Sequence, residues 1–255
     1  MIRYELLDGR ATITIDDVER HNPMSVDTMD GLREAARTAV EDPAVRVVIF
    51  TGAGERAFSA GGDLSAGFVD EPIGLHRARG GLADLFRVLR RGGKPTIARV
   101  NGHALAGGFG LATACDITLC VDDAKLGVTE INVGLWPMMI TAVLAAGIPK
   151  KAALELMMTG RIITPQEALA LGAVTRVVPR DELDDAVDEV VAALIAKSAS
   201  TLQLGRDAFF GVADLGFDAA LDRLQGGLTA VAATGDSREG VAAFLEKRAP
   251  NWSGR

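Results

Sequence analysis

The stretches Ala57-Phe58-Ser59-Ala60-Gly61-Gly62-Asp63-Leu64 and Asn101-Gly102-His103-Ala104-Leu105-Ala106-Gly107-Gly108-Phe109-Gly110 decide the fold of this chain. Each is a glycine-rich turn that follows a largely apolar run, residues 45–51 in one case and 96–100 in the other. Such apolar runs are typical of strands buried on both faces of a sheet. Because glycine lets a ligand approach the backbone closely, each turn can aim one N–H group at a common point. Paired donors of this kind form an oxyanion hole, which stabilises a carbonyl oxygen that gains negative charge.

The rest of the chain continues this rhythm of strand, turn and helix. Residues 2–7 and 11–16 alternate around a turn at 8–10 and predict a hairpin, and Ser25 is an N-cap for a helix that reaches about residue 41. Further helices are expected over 75–91 and from Gly108, with a strand over 117–121. The repetition predicts an α/β fold built as a spiral of strand-strand-helix repeats.

From Thr164 onward the pattern is mostly helical, apart from a strand over 174–178. Leu221, Leu224 and Leu228 make this part too apolar to stand alone in water, so we expect it to pack on another subunit. The sequence therefore predicts a core over 1–198 and a helical oligomerisation region over 199–255.

Composition narrows the class of protein. The 255 residues are 48% hydrophobic and 24% charged, which predicts a globular enzyme with a substantial core. The longest apolar stretches are far shorter than the roughly 20 residues that span a bilayer, so no membrane span is expected. A net charge of −7 argues against nucleic-acid binding. The first residues lack the apolar core of a signal peptide, which favours a cytoplasmic location. Cys115 and Cys120 are expected to be buried, reduced thiols, and no metal site is predicted.

The two turns, in this order, occur together with three further motifs, and the whole chain resembles the enoyl-CoA hydratase/isomerase, or crotonase, family. The further motifs are Arg20-His21-Asn22-Pro23-Met24-Ser25, Thr129-Glu130-Ile131-Asn132-Val133-Gly134-Leu135-Trp136-Pro137 and Phe244-Leu245-Glu246-Lys247-Arg248. The resemblance implies a crotonase-like fold, an acyl-CoA thioester substrate and a homotrimer, often paired into a hexamer. Coenzyme A then enters as part of the substrate, with no separate cofactor.

The resemblance also assigns the reacting groups. The N–H groups of Gly62 and Gly107 match the family's oxyanion donors. Hydratases of the family use two glutamates; the first position is Gly110 here and the second is Glu130. Glu130 stands among Val128, Ile131 and Trp136, an apolar setting that is expected to raise its pKa.

One acid and one oxyanion hole favour a 1,3-proton shift that converts a 3-enoyl-CoA to its 2-enoyl isomer. Two alternatives stay open at this point. One is hydration of a 2-enoyl-CoA to a 3-hydroxyacyl-CoA with Glu130 alone or with an acid from elsewhere. The other is a noncatalytic acyl-CoA-binding protein that lost its chemistry with the residue now at Gly110.

Substrate contacts are expected at several further positions. Arg20 and Lys247 match phosphate contacts of the family, and Phe244 matches an aromatic near the adenine. Trp136 and Met138 are expected to line the acyl pocket, although the core is the alternative place for both. Asp63 is expected to fix its turn through backbone hydrogen bonds. The remaining positions that we assign to substrate binding are Met24, Ala60, Gly61, Leu64, Gly108 and Gly110.

Overall fold

The computed structural model, which describes residues 1–63 and 72–254, contains three β-sheets and a series of helices. The strands are β1 (Ile2–Leu7), β2 (Arg10–Ile15), β3 (Pro23–Met24), β4 (Val47–Gly52), β5 (Ala57–Ser59), β6 (Gly61–Gly62), β7 (Thr96–Val100), β8 (His103–Leu105), β9 (Ile117–Val121), β10 (Leu126–Gly127), β11 (Ile162–Ile163) and β12 (Arg176–Val178). The α-helices are α1 (Val26–Glu41), α2 (Pro72–Arg91), α3 (Gly107–Ala114), α4 (Met138–Gly147), α5 (Lys150–Thr159), α6 (Pro165–Ala170), α7 (Leu183–Ile195), α8 (Ala199–Gly211), α9 (Phe217–Ala232) and α10 (Gly235–Glu246). Short 3-10 helices lie at Val18–Arg20, Glu130–Val133 and Arg180–Glu182.

The main sheet has six strands in the order β1-β2-β4-β7-β9-β12. The predicted hairpin β1–β2 is antiparallel, and every later neighbour pair is parallel. All six residues of β4 are buried, as its apolar sequence predicts for a strand covered on both faces.

A second sheet takes the order β11-β10-β8-β5, and β3 pairs with β6 in a short parallel ribbon. In three successive units, β4 with β5, β7 with β8 and β9 with β10, the first strand joins the main sheet and the second joins this smaller sheet. A helix closes each unit: α2, α3 and α4 respectively. The predicted α/β organisation is confirmed. The short strands of the second sheet were not predicted, because two or three residues carry no periodicity.

Two buried asparagine side chains hold the first glycine turn against the sheet. Asn101 Oδ1 accepts the backbone N–H of Gly52 at 3.1 Å, and its Nδ2 donates to the carbonyl of Gly54 at 2.7 Å. Asn22 Nδ2 donates to the carbonyl of Ala57 at 2.7 Å. These side-chain amides form hydrogen bonds with backbone groups at the end of the strand, where strand pairing no longer supplies partners.

Side-chain caps begin α1, at the predicted residue Ser25, and α6, at Thr164. Ser25 Oγ accepts the N–H of Thr28 at 3.1 Å at the start of α1. Thr164 Oγ1 accepts the N–H of Glu167 at 3.1 Å, and Glu167 Oε2 accepts the N–H of Thr164 at 3.0 Å. This second pair is a capping box that fixes the start of α6.

The C-terminal helices α8, α9 and α10 are present as predicted, and they display large apolar side chains. Phe209 is 71% exposed, Phe217 77% and Leu228 69%. That another subunit covers this surface stays a prediction, as does the division at residue 198. The buried carboxylate of Asp236 ties the region together, because it accepts hydrogen bonds from Ser198 Oγ at 2.6 Å and from the N–H of Ser253 at 2.7 Å.

Both cysteines are buried and neither forms a disulfide. Burial raises the pKa of the Cys120 thiol to about 12, so it stays protonated at neutral pH. Among the described helices, none is long and apolar enough to cross a membrane.

Candidate active site

A cavity of about 790 Å³ lies where the two glycine turns and the segment after β10 meet. Gly62, Gly107 and Glu130 all line it. Its wall also contains the following residues that the sequence analysis assigned to substrate binding: Met24, Ala60, Trp136 and Met138. Parts of the chain that are distant in sequence are therefore brought to one cavity.

Close backbone contact joins the two turns. Gly61 has a φ of +93°, and a Cβ placed on it would lie 2.6 Å from the Cβ of Ala106 and 3.5 Å from the backbone nitrogen of Gly107. A Cβ on Gly108 would lie 2.6 Å from the carbonyl oxygen of Ser59. Carbon atoms in contact normally lie about 3.5–4.0 Å apart, so side chains at these two positions would separate the turns. Gly61 and Gly108 thus let the two turns pack closely together, although neither residue lines the cavity itself.

Helix α3 begins at Gly107, which lines the cavity. The preceding residue, Ala106, has a φ of 48°, which is uncommon for a residue other than glycine. Its carbonyl accepts the N–H of Gly110 at 3.0 Å and so starts the helix. The first N–H groups of a helix have no partner within the helix, and the helix dipole favours negative charge beside them. The Gly107 N–H is therefore suited to bind an anionic oxygen.

Met24 connects the two proposed donors. It is the register partner of Gly62 in the β3–β6 ribbon, and the N–H of Asp63 donates to its carbonyl at 3.3 Å. A Cβ placed on Gly107 would lie 2.8 Å from the Met24 sulfur. The Met24 side chain therefore packs against Gly107 while its backbone supports Gly62.

Glu130 begins the 3-10 helix Glu130–Val133, whose backbone fixes its position. Gly134, with a φ of 76°, ends this helix and donates its N–H to the carbonyl of Ile131 at 3.1 Å. The N–H of Leu135 donates to the carbonyl of Glu130 at 3.1 Å. Asn132 Nδ2 anchors the helix to the carbonyl of Gly160 at 3.1 Å.

The Glu130 carboxyl has an unsatisfied oxygen. Its Oε2 is buried and has no hydrogen-bond partner within residues 1–63 and 72–254. Burial raises the pKa of this carboxyl, and a hydrogen bond from its own backbone N–H partly opposes the rise. A raised pKa makes the carboxylate a stronger base, so it takes a proton from a substrate more readily. No other Asp or Glu lines the cavity among the residues that the structure describes.

Gly110 is buried and does not line the cavity. A Cβ on Gly110 would lie 2.6 Å from Cγ1 of Ile140, and Ile140 does line the cavity. The position that corresponds to the family's first glutamate is therefore covered by hydrocarbon. Sequence reasoning missed Ile140, because nothing in the pattern of α4 distinguishes a cavity-facing isoleucine from one in the core.

Two residues that we assigned to substrate binding form an ion pair with each other. The guanidinium of Arg20 donates to the carboxylate of Asp63, and it also lies 3.6 Å from Asp17 Oδ2. The hydrogen bond to Asp63 raises the pKa of Arg20. Asp63 thus binds the Arg20 side chain, whereas the sequence predicted only backbone hydrogen bonds for Asp63.

The remaining predicted contacts lie away from the cavity. Phe244 is 81% exposed on α10, and Lys247 ends that helix with a φ of 57°. Neither residue lines the cavity. Leu64 lies outside the described residues. His103 has a structural role, because its Nδ1 accepts the N–H of Lys125 at 3.0 Å.

Comparison with known proteins places this geometry in a family. The family model described as "Enoyl-CoA hydratase/isomerase" matches residues 7–255. A Thermus thermophilus protein bearing an enoyl-CoA hydratase name is 36% identical over 249 residues, which are 95% of this chain and 96% of that protein. Carnitinyl-CoA dehydratase of Proteus mirabilis is 33% identical over 252 residues, 97% of this chain and 96% of that protein.

Solved structures agree. The crystal structure of an enoyl-CoA hydratase from Mycobacterium smegmatis superposes with a TM-score of 0.94 at 30% identity, covering 98% of each chain. This similarity confirms the crotonase fold predicted from the sequence, including the helical C-terminal region. The chain belongs to the enoyl-CoA hydratase/isomerase family of enzymes.

Proposed function

We propose that this enzyme converts 3-enoyl-CoA thioesters to 2-enoyl-CoA thioesters, with Glu130 as the single proton carrier. The observation that carries the proposal is the buried, unpartnered Oε2 of Glu130 in the same cavity as Gly62 and Gly107. Because Oε2 has no hydrogen-bond partner within the described residues, it is free to exchange a proton with a bound substrate.

The chemistry needs one acid and one anion site. Glu130 removes a proton from C2, and the electrons of that C–H bond form an enolate whose charge rests on the thioester oxygen. The N–H groups of Gly62 and Gly107 donate to this oxygen. Glu130 then delivers the same proton to C4 while the double bond moves from C3–C4 to C2–C3. Preorganised donors of this kind contribute about 3–4 kcal/mol each to barrier lowering.

Binding of the CoA portion is assigned to residues outside the cavity. We propose that Arg20 and Lys247 contact its phosphates and Phe244 its adenine, with Asp63 holding the Arg20 guanidinium in place. Ala60 gives the thioester its close approach, Leu64 is a further proposed contact, and Trp136 and Met138 form the acyl wall. Gly61 and Gly108 keep the two turns in contact behind this lining. No separate cofactor is needed. The exposed apolar surface of α8 and α9 supports a homotrimer or a hexamer.

The test is a product analysis. Purified enzyme is supplied with 3-enoyl-CoA and 2-enoyl-CoA of several chain lengths, and products are identified by chromatography and mass spectrometry. We expect interconversion of the two enoyl isomers. Formation of 3-hydroxyacyl-CoA without isomerisation would overturn the proposal.

Hydration is the second candidate, because the relatives' names include enoyl-CoA hydratase and carnitinyl-CoA dehydratase. Reversible addition of water to a 2-enoyl-CoA would use the same anion site. Incorporation of ¹⁸O from labelled water into the product distinguishes this reaction from isomerisation, which adds no oxygen. The noncatalytic alternative predicts acyl-CoA binding with no product of either kind.

A further inference from the structure

Ile140 fills the space that faces Gly110. Its Cγ1 lies 2.6 Å from the position that a Cβ on Gly110 would take, and its Cδ1 and Cγ2 each lie 3.2 Å from it. Ile140 is only 3% exposed, yet it belongs to the cavity lining. Gly110 and Ile140 therefore form one packed unit in which the isoleucine supplies the surface that the cavity presents.

This unit makes one wall of the cavity apolar and rigid. Ile140 stands in the first turn of α4, and a β-branched side chain in a helix has one strongly preferred rotamer. Its neighbours in the lining, Met138 and Met139, are also apolar. A water molecule in a buried site needs two to four polar partners, and this wall supplies none from its side chains. The polar side chains of the lining, among them His76, Arg87 and Thr129, lie on other parts of the chain.

We propose that Ile140 determines reaction specificity by keeping water away from the substrate at Glu130. The proton taken by Glu130 then returns to the substrate, and no water is held for addition to C3. This inference rests on the proposed isomerisation. Ile140 thus sets the outcome of the reaction without taking part in the proton transfer itself.

The test compares Ile140→Thr with Ile140→Val. Valine and threonine have nearly the same shape, and both lack the Cδ1 atom of isoleucine, so the loss of packing is matched. They differ by a hydroxyl that can hold water. Both variants and the wild type convert 3-enoyl-CoA in D₂O, and mass spectrometry measures the deuterium in the 2-enoyl product at low conversion. Hydration of 2-enoyl-CoA is measured in parallel.

For the wild type and Ile140→Val we expect a product that keeps most of its original proton. For Ile140→Thr we expect at least about threefold more deuterium per turnover and about a tenfold higher ratio of hydration to isomerisation, because solvent exclusion suppresses such side reactions. If Ile140→Thr does not fold, Ile140→Ala serves in its place, since it opens room for water above Gly110. Its effect is expected in the same direction.

Equal deuterium content and equal hydration ratios in the folded variants would overturn the proposal. Complete deuterium exchange in the wild type would also overturn it, because water would already reach Glu130, while isomerisation itself would stand. Absence of isomerisation in the wild type is a different result, which rejects the proposed function and the role of Ile140 together.

The steric premise has its own test. Gly110→Ala is expected to lower the thermal midpoint of unfolding because its Cβ meets Ile140. Adding Ile140→Ala should recover part of that loss. Purely additive losses in the double variant would contradict the packed unit.

Discussion

Replacing Gly61 by alanine tests whether contact between the two glycine turns builds the anion site. Gly61 has a φ of +93°, and an alanine Cβ there would lie 2.6 Å from the Ala106 Cβ and 2.9 Å from the Leu105 carbonyl oxygen. Carbon atoms normally approach to about 3.5–4.0 Å, so the turns must move apart by about 1 Å. Gly62 and Gly107, the proposed donors, lie beside this contact.

The magnitude has two parts. A left-handed backbone costs a residue with a Cβ about 1–2 kcal/mol, and overpacking costs about 1–3 kcal/mol, which together give about 2–5 kcal/mol of lost unfolding free energy. A displacement of about 1 Å at the reacting centre lowers kcat by about 10²-fold. Gly62→Ala is the control for stability, because among the described residues no atom beyond its two chain neighbours lies within 4 Å of its Cβ position. It should cost less than about 1 kcal/mol.

Urea unfolding measures the first part, and the rate of 3-enoyl-CoA conversion at saturating substrate measures the second. A Gly61→Ala protein with an unchanged urea midpoint and a kcat within about twofold of the wild type would refute the argument, because the turns would then tolerate a Cβ between them.

Three further predictions follow from the same contacts. Gly62→Pro removes a proposed N–H donor, so kcat should fall about 10²–10³-fold. Gly62→Ala, which keeps the N–H and is expected to stay folded, is the comparison. Normal turnover of the proline variant in steady-state kinetics would contradict the assignment. Glu130→Gln should become more stable than the wild type as the pH rises above 4.5, the ordinary pKa, and through the raised pKa of Glu130. The reason is that only the wild type must then bury a negative charge. A difference in unfolding free energy that stays constant across this pH range would disprove the prediction. Asp236→Asn should cost about 2 kcal/mol of unfolding free energy, because burial raises the pKa of Asp236 but hydrogen bonds from Ser198, Ser253 and Gly254 outweigh burial and hold the pKa at about 2. The stabilisation is therefore present above pH 3.8, the ordinary pKa, and is lost as the pH falls through 2. Equal acid unfolding of the variant and the wild type would argue against this role.

The sequence predicts those parts of the fold that depend on local patterns. The β1–β2 hairpin, the buried strand β4 and the cap at Ser25 each follow from residues close together in the chain. The second sheet could not be predicted, because β10 and β11 have two residues each and exist only through pairing with distant strands.

For the site, the family motifs located Gly62, Gly107 and Glu130, and the structure brings these three to one cavity. Two features depended on tertiary packing and were therefore missed. The Arg20–Asp63 pair joins residues 43 positions apart, and Ile140 covers Gly110 from a helix 30 positions further along the chain. Neither contact has a signature in the local sequence.

Glu130→Gln gives the most direct test that the protein is an enzyme whose chemistry depends on this one carboxyl. Glutamine keeps the size of the side chain and removes the proton exchange. Acyl-CoA affinity, measured by calorimetry, should stay within about threefold of the wild type, while the rate of 3-enoyl-CoA conversion should fall at least about 10²-fold. Unchanged turnover in the folded variant would contradict the role of Glu130, and acyl-CoA binding with no turnover in either protein would show a binding protein instead.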